Sequence, residues 1–370
     1  MAEIPDVDEL EAAGLYDPAA PNADDRLRLL EWLCGMGVGV DELRSALDYG
    51  ALSSVASDRW LVPGRRMSRV EAIERSGLTD DTFDAYVAAL GYEPIQGAPE
   101  GEVGITEPEI DLLASIERLT GLFERDEALS LVRVIGSALS RIAEAAVSLF
   151  LADVESAHVR QGGSEFDLAR TVYDAVQLVE GLGARLDPAL RRHMLQAAER
   201  TRATSIDEIE RFQYRYAVGF VDLVGFTAIS RDMTAEDLSA FVGRFERTAH
   251  EVVSGAGARV VKLIGDEVMF VDPDPNSAVE AGRALIDTFS SMDDGVLPRG
   301  GMAFGSVVLR GGDYYGSVVN IASRLADAAV PGELLVTTDL ADATHCSFEP
   351  AGRRMLKGFD APIVVRSLPH

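Results

Sequence analysis

Two aspartates stand out because each sits at the tip of a short apolar run. Asp222 falls near the end of Tyr216–Leu223, just ahead of Val224-Gly225-Phe226. Asp266 lies in Gly265-Asp266, a two-residue hairpin signal between the β-rich runs Arg259–Ile264 and Glu267–Val271. Alone, either residue would only end a strand or turn a hairpin. Brought together, two carboxylates repel and need a compensating cation or proton, and hard divalent cations with oxygen ligands suit them. The loop Gly225-Phe226-Thr227 opens a helix, so its backbone amides could meet a phosphate. Metal and phosphate in one place point to a nucleoside triphosphate.

The elements that must position these residues can be read from periodicity. After the first strand, Leu238, Phe241, Val242, Phe245, Ala249, Val252 and Val253 recur at helical spacing from Thr234 and stop near Gly255 and Gly257. The hairpin follows, then a helix over Asn276–Phe289 and a strand over Met302–Leu309. That order is the β-α-β-β-α-β ferredoxin-like unit, whose right-handed crossover lays the hairpin beside the first strand and makes Asp222 and Asp266 neighbours. Gly311-Gly312 then turns the chain into Asp313, a helix carries Asn320 and Arg324 and ends before Pro331-Gly332, and Glu333–Thr337 and Ile363–Ser367 read as strands around Lys357.

Three spaced pieces, Phe-Val-Asp222-Leu-Val-Gly-Phe-Thr, Lys262-Leu-Ile-Gly-Asp266 and Asp313-Tyr-Tyr-Gly-Ser-Val-Val-Asn320-Ile-Ala-Ser-Arg324, resemble the catalytic domain of class III nucleotidyl cyclases. The resemblance spans residues 210 to 367. It implies two metal ions per site, Mg2+ or Mn2+, on Asp222 and Asp266, and an adenine-reading pair in Lys262 and Asp313. A lysine only donates and an ionised aspartate only accepts, which matches the ring nitrogen and exocyclic amine of adenine. It also implies a transition-state pair, Asn320 and Arg324, whose spacing of four sets them on one helix face. Arg299 and Lys357 align with residues that hold the triphosphate. The implied reaction is attack of the ribose 3′-oxygen on the α-phosphorus of ATP, giving cyclic AMP and pyrophosphate.

Family sites of this kind lie at a two-fold interface, so a homodimer with two sites is expected. From the spacing alone, Lys262 and Asp266 could equally serve one site. A diguanylate cyclase is disfavoured because the hairpin reads Gly-Asp-Glu-Val and not Gly-Gly-Asp/Glu-Glu-Phe. A silent cyclase-like dimerisation module is disfavoured because Asp222, Lys262, Asp266, Asp313, Asn320 and Arg324 are all present.

The bounds of the whole chain fit this reading. Its 370 residues suggest two or three domains, and a net charge of -27 argues against nucleic acid or anionic membrane as partner. Cys34 and Cys346 have no metal-ligand spacing and fit a cytoplasmic chain with reduced thiols. No window reaches the roughly 18 apolar residues without charge that mark a membrane-crossing helix; the most apolar, Leu129–Val154, is interrupted by Arg133, Arg141, Glu144 and Asp153. Residues 1–24 read as an irregular acidic leader and 25–200 as an all-helical domain, so the fold class is α+β, all-α followed by the ferredoxin-like half. Thr106-Glu-Pro-Glu109 is a capping box opening a helix through Leu122, and Asp187-Pro188 places a cap before a first-turn proline.

Ser68–Leu90 has the outline of a helix-turn-helix, which raises a DNA-binding alternative that the acidic balance opposes. Residues 201–215 carry a second capping box, Ser205-Ile-Asp-Glu208, and read as a helical linker ahead of a catalytic domain over 216–370. The layout resembles actinobacterial class III enzymes in which a helical part regulates the catalytic part. A proton is the first signal to consider, through His193 and His345. A lipid or small ligand between apolar helices over Val132–Leu151 is the other.

Overall fold

The computed structural model describes residues 5–50, 52–65, 67–92, 104–150, 163–177, 181–204, 213–292 and 295–369. Two compact units divide the chain at Pro188 and Ala189. That is earlier than the boundary expected near residue 200. It falls inside a helix that runs through it.

The first unit is helical: α1 (Val7–Ala12), α2 (Ala23–Gly35), α3 (Val40–Asp48), α4 (Val55–Leu61), α5 (Arg69–Ser76), α6 (Asp80–Leu90), α7 (Glu107–Thr120), α8 (Arg125–Phe150), α9 (Glu165–Gln177) and the start of α10 (Leu182–Thr204). Its apolar residues gather in two clusters. Leu10, Leu29, Leu30, Leu33, Leu43 and Ala169 centre one, where Phe166 and Tyr173 of α9 meet the Trp32 ring edge-on. Phe83, Tyr86, Ile110, Leu113 and Val132 centre the other.

Several expectations need correction here. The leader is not irregular: Asp6 caps α1 by accepting from the Glu9 N–H at 2.8 Å, and Leu10 and Leu15 are buried, so core packing orders an otherwise acidic stretch. Pro188 lies inside α10 rather than in its first turn, since the helix already starts at Leu182. Residues 201–204 continue α10 and 213–215 already belong to a strand, while the Ser205–Glu208 pattern lies outside the described residues. Along α8, Leu131, Ile135, Leu139, Ile142, Val147 and Leu149 are exposed.

Other local readings hold. Thr106 and Glu109 form the capping box, with the Thr106 N–H and hydroxyl both donating to Glu109 Oε2 at 2.8 and 2.7 Å, although α7 stops at Thr120. The helix-turn-helix outline is real in α5 and α6. However, Arg69 is spent on Asp80 and Asp84 at 3.3 and 2.9 Å, and a second helix opening on aspartates repels phosphate. Among the described residues no helix is long and apolar enough to cross a membrane.

The second unit is built on β1 (Gln213–Val224), α11 (Phe226–Ile229), α12 (Ala235–Gly255), β2 (Arg259–Ile264), β3 (Glu267–Asp272), α13 (Pro275–Ser290) and β4 (Leu297–Arg310). The sheet runs β2-β3-β1-β4, antiparallel throughout, which is the ferredoxin-like order read from the sequence. Beyond it come β5 (Asp313–Tyr315), α14 (Ser317–Ala328), β6 (Leu334–Thr337), α15 (Thr338–Asp342), β7 (Glu349–Arg354) and β8 (Ile363–Ser367), which extend the sheet in the order β4-β6-β8-β7. The sequence reading missed β5, β7 and α15, all short. It also started β1 three residues late, at Tyr216. Helices α12 and α13 cover one face through Phe241, Phe245, Ala249, Leu285 and Phe289. On the other face α14 packs with Ala322 and Ala326, over Val218 and Ala303.

Gly301 allows that second packing. A Cβ there would stand 2.1 Å from the Ala326 backbone nitrogen. Since backbone cannot yield as a side chain does, Gly301→Ala should push α14 off the sheet and cost about 1–3 kcal/mol by overpacking, read as a lowered midpoint in urea unfolding.

Candidate active site

The carboxylates converge because of strand register. Asp222 on β1 is paired across the sheet with Glu267 of β3 on one side and Arg299 of β4 on the other. Asp266 occupies the turn between β2 and β3, which closes tightly because Gly265 takes φ 65. The structure therefore brings together Asp222, Asp266 and Arg299, and adds Glu267. The Arg299 guanidinium donates to Asp222 Oδ2 from Nε at 3.1 Å and Nη2 at 2.9 Å, and from Nη1 to the Asp327 carbonyl at 2.8 Å. Triphosphate binding is expected of Arg299, and in the chain by itself its fork closes on Asp222.

Burial and crowding set the electrostatics. Asp266 is raised above the ordinary aspartate range, first by burial and then by the Asp222 charge, while its own backbone N–H and Arg299 pull the other way. Glu267 is pushed up to about 7, again by burial first, then by Asp222, Asp327 and Asp266. Glu267 was not singled out in the sequence; its signal was direct adjacency to Asp266.

A second cluster forms between β2 and β5. The Lys262 ammonium donates to Asp313 Oδ2, and the Tyr314 N–H donates to Asp313 Oδ1 at 2.8 Å. Arg259 steadies β5 by donating to the Tyr314 hydroxyl at 2.9 Å, and the Tyr314 ring meets Tyr216 edge-on at 5.1 Å. Sequence reading missed this support, although Tyr314 adjoins Asp313. Asn320 and Arg324 lie exposed on α14, where Arg324 pairs with Asp327 at 3.0 Å.

Other expected residues stand apart. Lys357 is exposed in the β7–β8 loop, at the sheet edge opposite β2. Phe226 stacks on Phe241 at 5.0 Å and serves packing, and α11 is a single short turn whose Ala228 and Ile229 amides already bond Gly225 O. Gly225 and Thr227 are exposed there. His193 is exposed on α10, and His345 is exposed with its backbone N–H bonded to Asn276 Oδ1.

The donor set fits magnesium or manganese. Among the described residues no three or more His, Cys, Asp or Glu form a closed metal cage. Mg2+ is ordinarily held by one or two carboxylates, with waters and substrate phosphates completing its shell. Two neighbouring aspartates, with Asp266 raised by burial and then by the Asp222 charge, are such a set.

No family profile matches the chain. A Mycobacterium tuberculosis protein of uncharacterised function is 32% identical over 370 residues, 100% of this chain and 95% of its own. An adenylate cyclase of Streptomyces coelicolor is 33% identical over 285 residues, 75% of this chain and 71% of its own. A Mycobacterium tuberculosis protein named as a pH-sensitive adenylate cyclase is 30% identical over 356 residues, 90% of this chain and 85% of its own. The chain belongs to the class III adenylate cyclases. Among solved structures, the adenylyl cyclase CyaB from P. aeruginosa aligns with TM-score 0.40 and 22% identity over 43% of this cyclase and 95% of that chain.

The raised Glu267 makes a stability prediction for the metal-free cyclase. A carboxylate whose folded pKa, about 7, exceeds its ordinary 4.5 binds its proton more tightly when folded, so its contribution is full below 4.5 and is lost as pH rises towards 7. Glu267→Gln, which cannot ionise, should match the wild type at low pH and melt at higher temperature above pH 7, as calorimetry in chelator would read. An unchanged difference across that range would contradict it.

Proposed function

We propose that this cyclase acts on ATP, forming 3′,5′-cyclic AMP and pyrophosphate. The observation that carries the substrate assignment is the contact of Lys262 with Asp313 across β2 and β5. One partner only donates and the other only accepts, so together they complement adenine and mismatch guanine, whose 6-oxygen and N1–H present the reverse pattern.

Divalent metal on Asp222 and Asp266 would supply activation of the ribose 3′-oxygen and neutralisation of the phosphate oxygens. The chain's own side chains do the rest. Lys262 and Asp313 orient the base, Asn320 orients the ribose and phosphate, and Arg324 offsets charge on the α-phosphoryl oxygens, where an arginine fork fits two oxygens at once. Arg299 and Lys357 hold the triphosphate. Lys357 stands at the opposite sheet edge from the β2–β3 turn that carries Asp266, which supports sites completed by a second copy of the chain.

For the helical half we propose regulation, with a proton as signal. The support is the relative named as pH-sensitive, which aligns over 90% of this chain and so includes most of the helical half. A silent dimerisation module is the contrary reading. It is opposed by the retention of the charged residues above.

Two outcomes test these assignments. Lys262→Glu combined with Asp313→Cys should lower the preference for ATP over GTP by at least about 100-fold, measured as the ratio of kcat/KM values, because the site would no longer present adenine's partners. Retained strict preference for ATP would sink the adenine assignment. A fragment starting at residue 206 should make cyclic AMP, while only the full chain shows a strong response between mildly acidic and mildly alkaline pH; equal profiles would remove the proton-linked role.

A further inference from the structure

Arg299 is committed at every nitrogen: Nε and Nη2 to Asp222 Oδ2, and Nη1 to the Asp327 carbonyl in the last turn of α14. The second anchor follows from helix chemistry, since the last carbonyls of a helix lack partners and favour a cation. The first anchor sits on one of the two oxygens of the carboxylate that would hold a divalent ion. Side chains at this pair are only 25% and 21% exposed, so water screens them weakly.

From this geometry we infer that Arg299 is a built-in, displaceable counter-cation: it neutralises the aspartate end of the sheet without metal, and gives up Asp222 when metal enters with a triphosphate. The inference rests on the metal reading of Asp222 and Asp266. A guanidinium and a divalent ion on one carboxylate compete for the same negative charge, and their like charges repel. A triphosphate supplies replacement oxygens for the fork, and the carbonyl of Asp327 keeps the guanidinium within reach of them. Metal and nucleotide should therefore favour each other's binding through Arg299, a reciprocal coupling.

The test reads binding, not turnover. Titrating the full chain with Mn2+ alone, followed by electron paramagnetic resonance of the free ion, should show Arg299→Gln binding about tenfold tighter than wild type, because the competing charge is gone. With α,β-methylene-ATP present the order should reverse, wild type holding the nucleotide more tightly. Equal Mn2+ affinities of the two proteins in the absence of nucleotide overturn the inference. Loss of saturable Mn2+ binding in wild type would instead remove the metal assignment itself, and with it this inference.

A second measurement does not depend on the variant folding. The Arg299 Nε–H should exchange slowly with solvent in the metal-free chain, by nitrogen-15 NMR. Its protection should drop when Mg2+ and α,β-methylene-ATP are added. Protection that survives saturation would show that the fork never leaves Asp222, and the inference would fail.

Discussion

Like charge held at one end of the sheet is the constraint on which the rest of the catalytic half depends. Asp222, Asp266 and Glu267 meet there, and burial first, then their mutual charge, raises Asp266 and Glu267. Such a cluster needs a compensating cation or proton. In the chain itself that cation is Arg299, placed directly across from Asp222 by the β1–β4 register. The sheet keeps the carboxylates together because β1 is its central strand, with buried Ala217, Val218 and Val221 locking it between β3 and β4. Shifting β1 by one residue would exchange the side chains on its two buried faces, Ala217 and Val221 for Val218 and Phe220, and mispack both layers. Hydrophobic burial thus fixes the position of an electrostatically strained group.

The second cluster is assembled by different means. Asp313 reaches Lys262 only because β5 folds back on β4 through Gly311 and Gly312, and because Tyr314 is wedged against Tyr216. Arg259 holds the Tyr314 hydroxyl. Helix α14 then leaves from Gly316 and presses on β4 where Gly301 removes any side chain. Asn320 and Arg324 project from its exposed face, and its last turn seats Arg299. One helix therefore carries the proposed phosphoryl-facing residues at one stage of its length and steadies the counter-cation at the next.

The helical unit follows another logic. Its two apolar clusters are built from short helices with ordinary caps, Asp6, Ser68 and Thr79 among them, and from the aromatic contacts of α9 with Trp32. Acidic residues dominate its helix starts, as the macrodipole favours. That distribution puts Asp80 and Asp81 at the start of the second helix of the helix-turn-helix outline, where their charge opposes a phosphate.

By itself the sequence determined the ferredoxin-like order and the two aspartates at strand tips, because these depend on periods of two and 3.6 and on glycine turns that are local in the chain, while Lys262 on β2, Asp313 on β5 and Asn320 and Arg324 on α14 were legible only through the resemblance to class III cyclases. It also determined the capping box at Thr106. What it left undecided were long-range matters. Ordering of residues 7–12 needed Leu10 to find a distant core, and the passage of α10 through Pro188 contradicts local chemistry. Three-residue β5 has no periodicity to read. Most tellingly, the partner of Arg299 could not be read from spacing, since Asp222 lies 77 residues away and only cross-strand register puts the two side by side. Local rules state which groups can do chemistry; the sheet decides which of them already satisfy one another.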